Sequence, residues 1–327
     1  MNRIQYIDTA KGICITLVVF VHIQKFFPGL EYPTDTFMDA LRMPLYYFLS
    51  GLFFKKYEGF SSFIKKKINK LIIPLLFFYY LALIIFNFSH YILQIGVSNY
   101  YGWKYLFGFL YLDMYPNLYL WFLLSLFIAN VFYYFLLIIF KNNNSFIIVS
   151  SLFLGLIGYI LIKDEIFIPT FLERTMYYFP LFIIGRIFKQ YGGLDIKYKK
   201  NTEIILMIFF LVSAIIMSHF IHHPFIIIDF ISGYITSVLA ISFVLLFSKI
   251  YNKIPIITYY GRYSIIILVT HALVNQAFSY LILRLPVQNN HILLVTWFSF
   301  VMLSYIIIIP FMKHYFPYVT AQKNLIN

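Results

Sequence analysis

Two ionisable side chains, Lys11 and His22, lie in the first long apolar run of the chain and are the clearest sign of chemistry in it. Such groups are costly in an apolar membrane segment and usually have a function there. On an α-helix the step from position 11 to position 22 leaves the two side chains about 20° apart on one face but ~16 Å apart along the axis. They therefore share a stripe without touching. The structural alternatives are that Lys11 is only an anchor at the helix end and that His22 is a polar packing residue.

The composition places the chain in a membrane. Of 327 residues, 62% are hydrophobic and only 11% are charged, whereas about a quarter of a soluble domain is charged. No polar block long enough for a soluble domain interrupts the sequence, so we predict one transmembrane domain over residues 1–327. The first run lacks a small-residue cleavage site and is expected to stay in the mature protein. The single cysteine, Cys14, excludes an internal disulfide and a cysteine-built metal site.

Apolar runs of about 20 residues predict the fold class, an all-α polytopic bundle with about ten transmembrane helices. The runs do not alternate as the strands of a membrane barrel would. The predicted spans are 10–28, 37–56, 70–94, 117–140, 145–162, 172–190, 202–220, 225–249, 262–284 and 291–314. The aromatic segment from Tyr100 to Tyr115 is too interrupted for a span, and we expect it to be re-entrant or interfacial.

Charge gives the predicted bundle an orientation. With a cytoplasmic N-terminus, most of the 25 Lys and Arg residues fall on inner loops and helix ends, and most acidic residues fall outside. This asymmetry follows the positive-inside rule and predicts that both termini are cytoplasmic. The net charge of +13 then reflects topology and does not indicate nucleic-acid binding. In this orientation Lys11 lies near the cytosol and His22 lies half-way across the membrane or further.

Arg42 lies near the outer end of the second run. An arginine within a membrane is expected to face a cavity and to find a partner. Two roles are open: Arg42 orients an acceptor or stabilises a developing oxyanion, or it forms a local ion pair with Asp39. Ser50 and Gly51, at the far end of this run, are typical of close helix packing.

Two groups of residues that contain histidine have the composition of a catalytic dyad or a metal site but lack its geometry. Ser264 and His271 would share a helix face, yet a rise of ~10.5 Å excludes a hydrogen-bonded dyad between them. Three outer histidines have spacing that could gather metal ligands, but a proline directly after them breaks the helix, and no closed ligand set is visible. The trio is His219, His222 and His223. We therefore predict no metal site.

Several segments resemble the acyltransferase 3 family of integral membrane acyltransferases, in particular its fucose 4-O-acetylase-like branch. The family signature is an Arg or Lys followed after ten residues by His, which here are Lys11 and His22. This pair lies in RIQYIDTAKGICITLVVFVHI, and RMPLYYFLSG follows it at residues 42–51. The resemblance continues through FIKKKINKLIIP at 63–74, LWFLLSLF at 120–127, FPLFIIGRIF at 179–188 and GRYSIIILVTH at 261–271.

The resemblance implies transfer of an acyl group, usually acetyl from cytosolic acetyl-CoA, to a hydroxyl of a cell-envelope polysaccharide or lipid-linked sugar. It implies a multi-pass protein of a bacterial-type inner membrane, with acetyl-CoA as donor substrate and no permanently bound cofactor. The implied catalytic residues are His22, Lys11 and Arg42. The implied donor-binding residues are Lys66, Lys67, Lys70 and Arg186, and the implied cavity-lining residues are Asp8, Ser50, Trp121, Ser264 and His271.

Three questions stay open at the sequence level. His22 is either the general base that deprotonates the acceptor hydroxyl or a nucleophile that first carries the acetyl group. Lys67 and Lys70 stand where the family has a pair of basic residues, usually arginine, so planar bidentate binding of phosphate is in doubt at this site. A transporter or flippase for a glycan or lipid, without transferase activity, is the alternative class.

Overall fold

A computed structural model describes residues 4–93, 102–111, 117–252, 254–282, 284 and 289–326, and the predicted all-α class is confirmed in these ranges. Each of the predicted runs coincides with a helix. The helices are α1 Gln5–Gln24, α2 Asp35–Leu52, α3 Phe60–Lys67, α4 Ile73–Leu93, α5 Trp121–Ile139, α6 Asn144–Lys163, α7 Leu172–Gln190, α8 Lys200–Ser218, α9 Ile226–Ile250, α10 Pro255–Arg262, α11 Ser264–Ile282 and α12 Asn290–Tyr315.

Eight described helical segments are long and apolar enough to cross a membrane. The other two long helices, α2 and α7, carry charged residues within their length. The count of ten spans and the cytoplasmic position of both termini stay predictions. Residues 100, 101 and 112–115 of the predicted interfacial segment lie outside the described ranges, and Trp103–Leu110 within it is a short 3-10 helix.

The structure corrects the predicted start of the third run. That run was expected to begin at residue 70, but a continuous helical segment begins at Phe60 and reaches Ser89. It includes α3, a π-helical turn at Ile68–Ile72 and most of α4. The hydropathy pattern ended the run at the lysines because they are polar, yet lysine is a good helix former. The basic residues therefore lie on the same helical segment as the apolar span.

The chain divides into two compact units, and both are built from segments distant in sequence. The first comprises Met1–Phe53, Pro180–Ile267 and Phe278–Tyr305. Within it α1 packs against α2, α9 and α10, while α8 and α9 pack as a pair. Glycines allow the closest approach: a Cβ atom on Gly12 would overlap the carbonyl oxygen of Ile257, and one on Gly261 would overlap that of Asp8. The α1 and α10 backbones are therefore in direct contact.

The second unit comprises Phe54–Phe179, Leu268–Ala277 and Ile306–Asn327. Here α5 packs against the π turn and against the short 3-10 turn Pro169–Phe171 that precedes α7. The hydroxyl of Tyr79 donates to the carbonyl oxygen of Tyr105 at 2.5 Å, which fixes the short 3-10 helix on α4. The prediction of a single domain over the whole chain stays a prediction.

Candidate active site

Helix α1 carries the predicted Lys11 and His22 pair. The helix is continuous from Gln5 to Gln24, so both residues lie on one element as the spacing predicts. His22 lies in its last turn and is 9% exposed, and Asp8 in its first turn is also buried. Lys11 is half-buried. A regular helix thus holds the ammonium group and the imidazole ~16 Å apart along the axis.

The ammonium groups of Lys11 and Lys189 both lie near the ring of Phe53. The Nζ atom of Lys11 lies 5.3 Å from the centroid of the Phe53 ring, and the Nζ atom of Lys189 lies 5.7 Å from the same centroid. Both distances fall in the range of cation–π attraction. The two ammonium groups are therefore at most about 11 Å apart, a separation that a polyphosphate can bridge.

Close packing of α2 on α7 creates this arrangement. A Cβ atom on Gly51 would overlap the carbonyl oxygen of Phe182, and one on Gly185 would overlap that of Phe48. The packing role predicted for Gly51 is thereby confirmed. Phe53 follows α2 directly, and Lys189 lies one turn after Gly185, so the glycine contacts set the distance between the ring and the second ammonium group.

Arg186 lies on the same face of α7 as Lys189, three residues earlier. Its Nε atom is buried and has no hydrogen-bond partner within the described residues. A buried, unpaired guanidinium nitrogen is costly and is satisfied best by an anion. The position of Lys189 near Lys11 was not predictable from the sequence, because it depends on how α2 and α7 pack.

The basic segment of the second unit surrounds the π turn. Lys67 ends α3, with its Nζ atom 5.7 Å from the ring centroids of both Phe54 and Phe63. Lys70 lies within the turn and is exposed, and Lys66 is half-exposed. π turns are rare and are frequently found at functional sites. The predicted donor-binding lysines therefore lie directly before or within an irregular turn, a feature that the sequence did not indicate.

Asn69, within the same turn, makes four hydrogen bonds. Its Nδ2 donates to the carbonyl oxygens of Lys65 at 2.9 Å and Ile326 at 2.8 Å. Its Oδ1 accepts the backbone N–H groups of Leu325 at 2.7 Å and Ile326 at 2.9 Å. An amide side chain has two donor hydrogens and two acceptor lone pairs, so this one is fully used. The C-terminal segment is thereby tied to the π turn.

Arg42 forms the local ion pair that was one of its two predicted roles. Its guanidinium pairs with the carboxylate of Asp39, and its Nε donates to the carbonyl oxygen of Met38 at 3.2 Å. The Arg42 side chain is 11% exposed, whereas that of Asp39 is 67% exposed. The thiol of Cys14 donates to the Arg42 carbonyl oxygen at 3.0 Å. The ion pair leaves the predicted catalytic role of Arg42 untested.

His271 is fully buried on α11. Its Nδ1 lies 2.8 Å from the carbonyl oxygen of Leu268, and because a carbonyl only accepts, the neutral ring carries its lone pair on Nε2. The Tyr119 and His271 ring centroids are 4.7 Å apart. One turn later Asn275 is 1% exposed, and within the described residues neither of its amide atoms has a hydrogen-bond partner. Asn275 was not among the predicted site residues, although an amide in an apolar helix is itself a signal.

The remaining predicted residues lie on three different helices, α2, α5 and α11. Ser50 and Ser264 are half-buried. Ser264 begins α11 and lies about two helical turns before His271. The ring of Trp121 has the Arg174 guanidinium carbon 4.9 Å from its centroid. Beside it, buried Glu173 accepts the backbone N–H of Ile168 at 3.1 Å. Trp121 thus contacts an arginine of its own unit.

Among the described residues, no group of three His, Cys, Asp or Glu side chains is arranged to hold a metal ion. In the outer histidine trio, the ring of His219 is bonded to its own helix through the carbonyl oxygen of Ile215 at 2.8 Å. The backbone N–H of His222 donates to Asp229 at 2.8 Å. These contacts close the connection between α8 and α9.

The described helices are apolar enough to cross a membrane, and α1 carries a half-buried lysine and a buried imidazole. No curated protein and no solved structure matches the chain. The fucose 4-O-acetylase-like branch stays a prediction. The family model for the acyltransferase 3 domain matches residues 4–313, nearly the whole chain, which therefore belongs to the acyltransferase 3 family of membrane acyltransferases.

Proposed function

We propose that this acyltransferase moves an acetyl group from cytosolic acetyl-CoA to a hydroxyl of a cell-envelope polysaccharide or lipid-linked sugar, in a bacterial-type inner membrane. The observation that carries the proposal is the convergence of Lys11 and Lys189 on Phe53, with buried His22 further along the helix that bears Lys11. One end of α1 thus offers charge for a polyphosphate, and the other offers an imidazole.

In the donor site, ammonium and guanidinium groups bind the phosphates of CoA. Within the first unit the candidate cations are Lys11, Lys189 and Arg186; within the second unit they are Lys67 and Lys70, and each set is a candidate by itself. Charge-assisted hydrogen bonds to phosphate are roughly twice as strong as neutral ones. Since most of these cations are lysines, they act as mobile point charges and not as bidentate forks.

In the reaction, neutral His22 accepts the proton of the acceptor hydroxyl while the oxygen attacks the thioester carbonyl carbon. The carbon–sulfur bond then breaks, the CoA sulfur takes the proton, and the products are an acetyl ester and free CoA thiol. In the alternative order His22 attacks the thioester first, and the acetyl-imidazole passes the acetyl group to the hydroxyl. Both orders need an unprotonated ring nitrogen.

The test compares acetyl content of envelope glycans by mass spectrometry in a strain that lacks the gene and is complemented with variants. We expect His22→Ala, expressed at the wild-type level, to lose acetylation by at least about 100-fold, the usual contribution of a general base. The matched control is His219→Ala, because His219 is exposed and bonded to its own helix. Full acetylation with His22→Ala would contradict the catalytic role, and a deletion without any change in glycan acylation would favour the transporter.

Donor binding is tested separately with acetyl-CoA and purified protein. The Lys11→Ala/Lys189→Ala variant should bind acetyl-CoA at least about tenfold more weakly, since each charged hydrogen bond contributes ~1.5–3 kcal/mol. Wild-type affinity should fall as salt is added, because partly exposed charges are screened. Lys141→Ala, an exposed lysine on a loop, is the control. Equal affinity in the double variant would remove these lysines from the donor site.

A further inference from the structure

The C-terminal segment is ordered before it reaches the π turn. After α12 the backbone N–H groups of Gln322 and Lys323 both donate to the carbonyl oxygen of Pro317 at 2.9 Å. The ring of Phe316 packs against that of Phe77, with centroids 6.0 Å apart. The segment therefore arrives at Asn69 in a fixed direction, and this lowers the conformational entropy lost in binding.

The π turn is bonded to a segment outside its own helix. A π turn accommodates an extra residue in the helix and is not a favoured conformation on its own. Asn69 is the buried residue of the turn, and three of its four hydrogen bonds join it to Leu325 and Ile326. These bonds stabilise the backbone at the point where the segment changes from α3 to α4.

The two donor-site lysines lie on either side of Asn69. Lys67 precedes it by two residues, with its ammonium group held near Phe54 and Phe63. Lys70 follows it directly and is exposed. The Lys67 ammonium group lies near two aromatic rings, whereas the Lys70 head is mobile on its stem. The backbone between them therefore sets the range of distances that the two charges can take.

We propose that Asn69 is a positioning residue for the acyl donor: by binding residues 325 and 326 it holds the π turn, and the turn sets the spacing of Lys67 and Lys70 for the phosphates of acetyl-CoA. This inference rests on the proposed function, because it assumes that the two lysines bind that donor. Asn69 itself does not touch the substrate. The C-terminal segment is thereby a structural part of the donor site.

The kinetic test uses purified protein, acetyl-CoA and the native glycan acceptor. Asn69→Ala should raise KM for acetyl-CoA about tenfold, as loss of one charge-assisted contact would, and leave kcat within about twofold. A deletion of residues 325–327 should give the same change, and combining the two should add little, because both remove one interaction. Asn130→Ala is the matched control, a buried amide whose Nδ2 donates to Leu126 of its own helix.

A background variant separates positioning from a general loss of structure. In Lys67→Ala/Lys70→Ala protein, Asn69→Ala should have no further effect on KM, since the groups that it positions are gone. A fall in kcat with unchanged KM, or an equal effect of Asn69→Ala in both backgrounds, would overturn the proposal. If Asn69→Ala does not fold, the deletion of 325–327 provides the same comparison.

Limited trypsin digestion tests the attachment without reference to activity. Lys323 is exposed and lies two residues before Leu325. Release of the peptide after Lys323 should be at least about fivefold faster in Asn69→Ala than in wild type, because opening of the segment limits cleavage. Equal release would overturn the attachment. If the wild type does not turn over acetyl-CoA, the proposed function is contradicted. Faster tryptic release from Asn69→Ala would in that case still establish the attachment of the C-terminal segment.

Discussion

Two asparagines of the same compact unit, Asn69 and Asn275, are each 1% exposed yet differ completely in their bonding. Asn69 makes four hydrogen bonds to backbone groups. Asn275 makes none within the described residues. A buried amide that is fully bonded stabilises the fold, whereas an unbonded one costs free energy. Burial alone therefore does not tell whether a polar residue in this protein is structural.

The largest effect on stability is expected from Asn69→Leu. This change removes four hydrogen bonds and leaves the backbone groups of Lys65, Leu325 and Ile326 without their partner. At ~0.5–1.5 kcal/mol for each bond, the free energy of unfolding should fall by about 2–6 kcal/mol. Thermal unfolding in detergent micelles measures the loss. An unchanged unfolding temperature would contradict the claim that Asn69, unlike Asn275, stabilises the fold.

A smaller loss is expected when residues 325–327 are deleted. The deletion removes the bonds to Leu325 and Ile326 but keeps the one to the carbonyl oxygen of Lys65, and water can reach part of the freed amide. We expect a decrease of about 1–3 kcal/mol in the free energy of unfolding. The same thermal assay checks it. A loss larger than that of Asn69→Leu would show that the segment stabilises the unit mainly through other contacts.

The smallest effect is expected from Asn275→Leu. Leucine has nearly the shape of asparagine and removes two polar groups that have no partner in the described part of the chain. Replacing such groups by apolar atoms is nearly neutral or stabilising. The unfolding temperature should therefore stay equal or rise, with Asn130→Leu as the control that loses its bond to Leu126. A marked decrease for Asn275→Leu would mean that the amide is bonded after all.

Much of the architecture follows from periodicity and hydropathy. The Lys11 and His22 stripe was predictable because both residues lie on one continuous helix. The ion pair of Arg42 with Asp39 was also predictable from the sequence, since the two residues lie three positions apart. These features depend on local geometry, which a single sequence specifies well.

The rest depends on contacts between distant segments. The position of Lys189 beside Lys11 requires the packing of α2 on α7, and the bonds of Asn69 require a segment more than 250 residues away. The π turn was not predictable, since the bonds that its buried asparagine makes are tertiary. Helix α10 was missed because it is only 8 residues long and less apolar than a span. Such features leave no periodic pattern in the sequence.

The contact of Gly12 with Ile257 and of Gly261 with Asp8 has a consequence for mutational tolerance. In a library that contains every substitution, positions 12 and 261 should accept glycine and reject even alanine, because the smallest added side chain meets a backbone oxygen. Lys11, next to Gly12, should tolerate many replacements for abundance in the membrane and few for activity. When abundance and activity are measured separately, substitutions at position 12 should lower abundance. Substitutions at the neighbouring position 11 should lower activity alone.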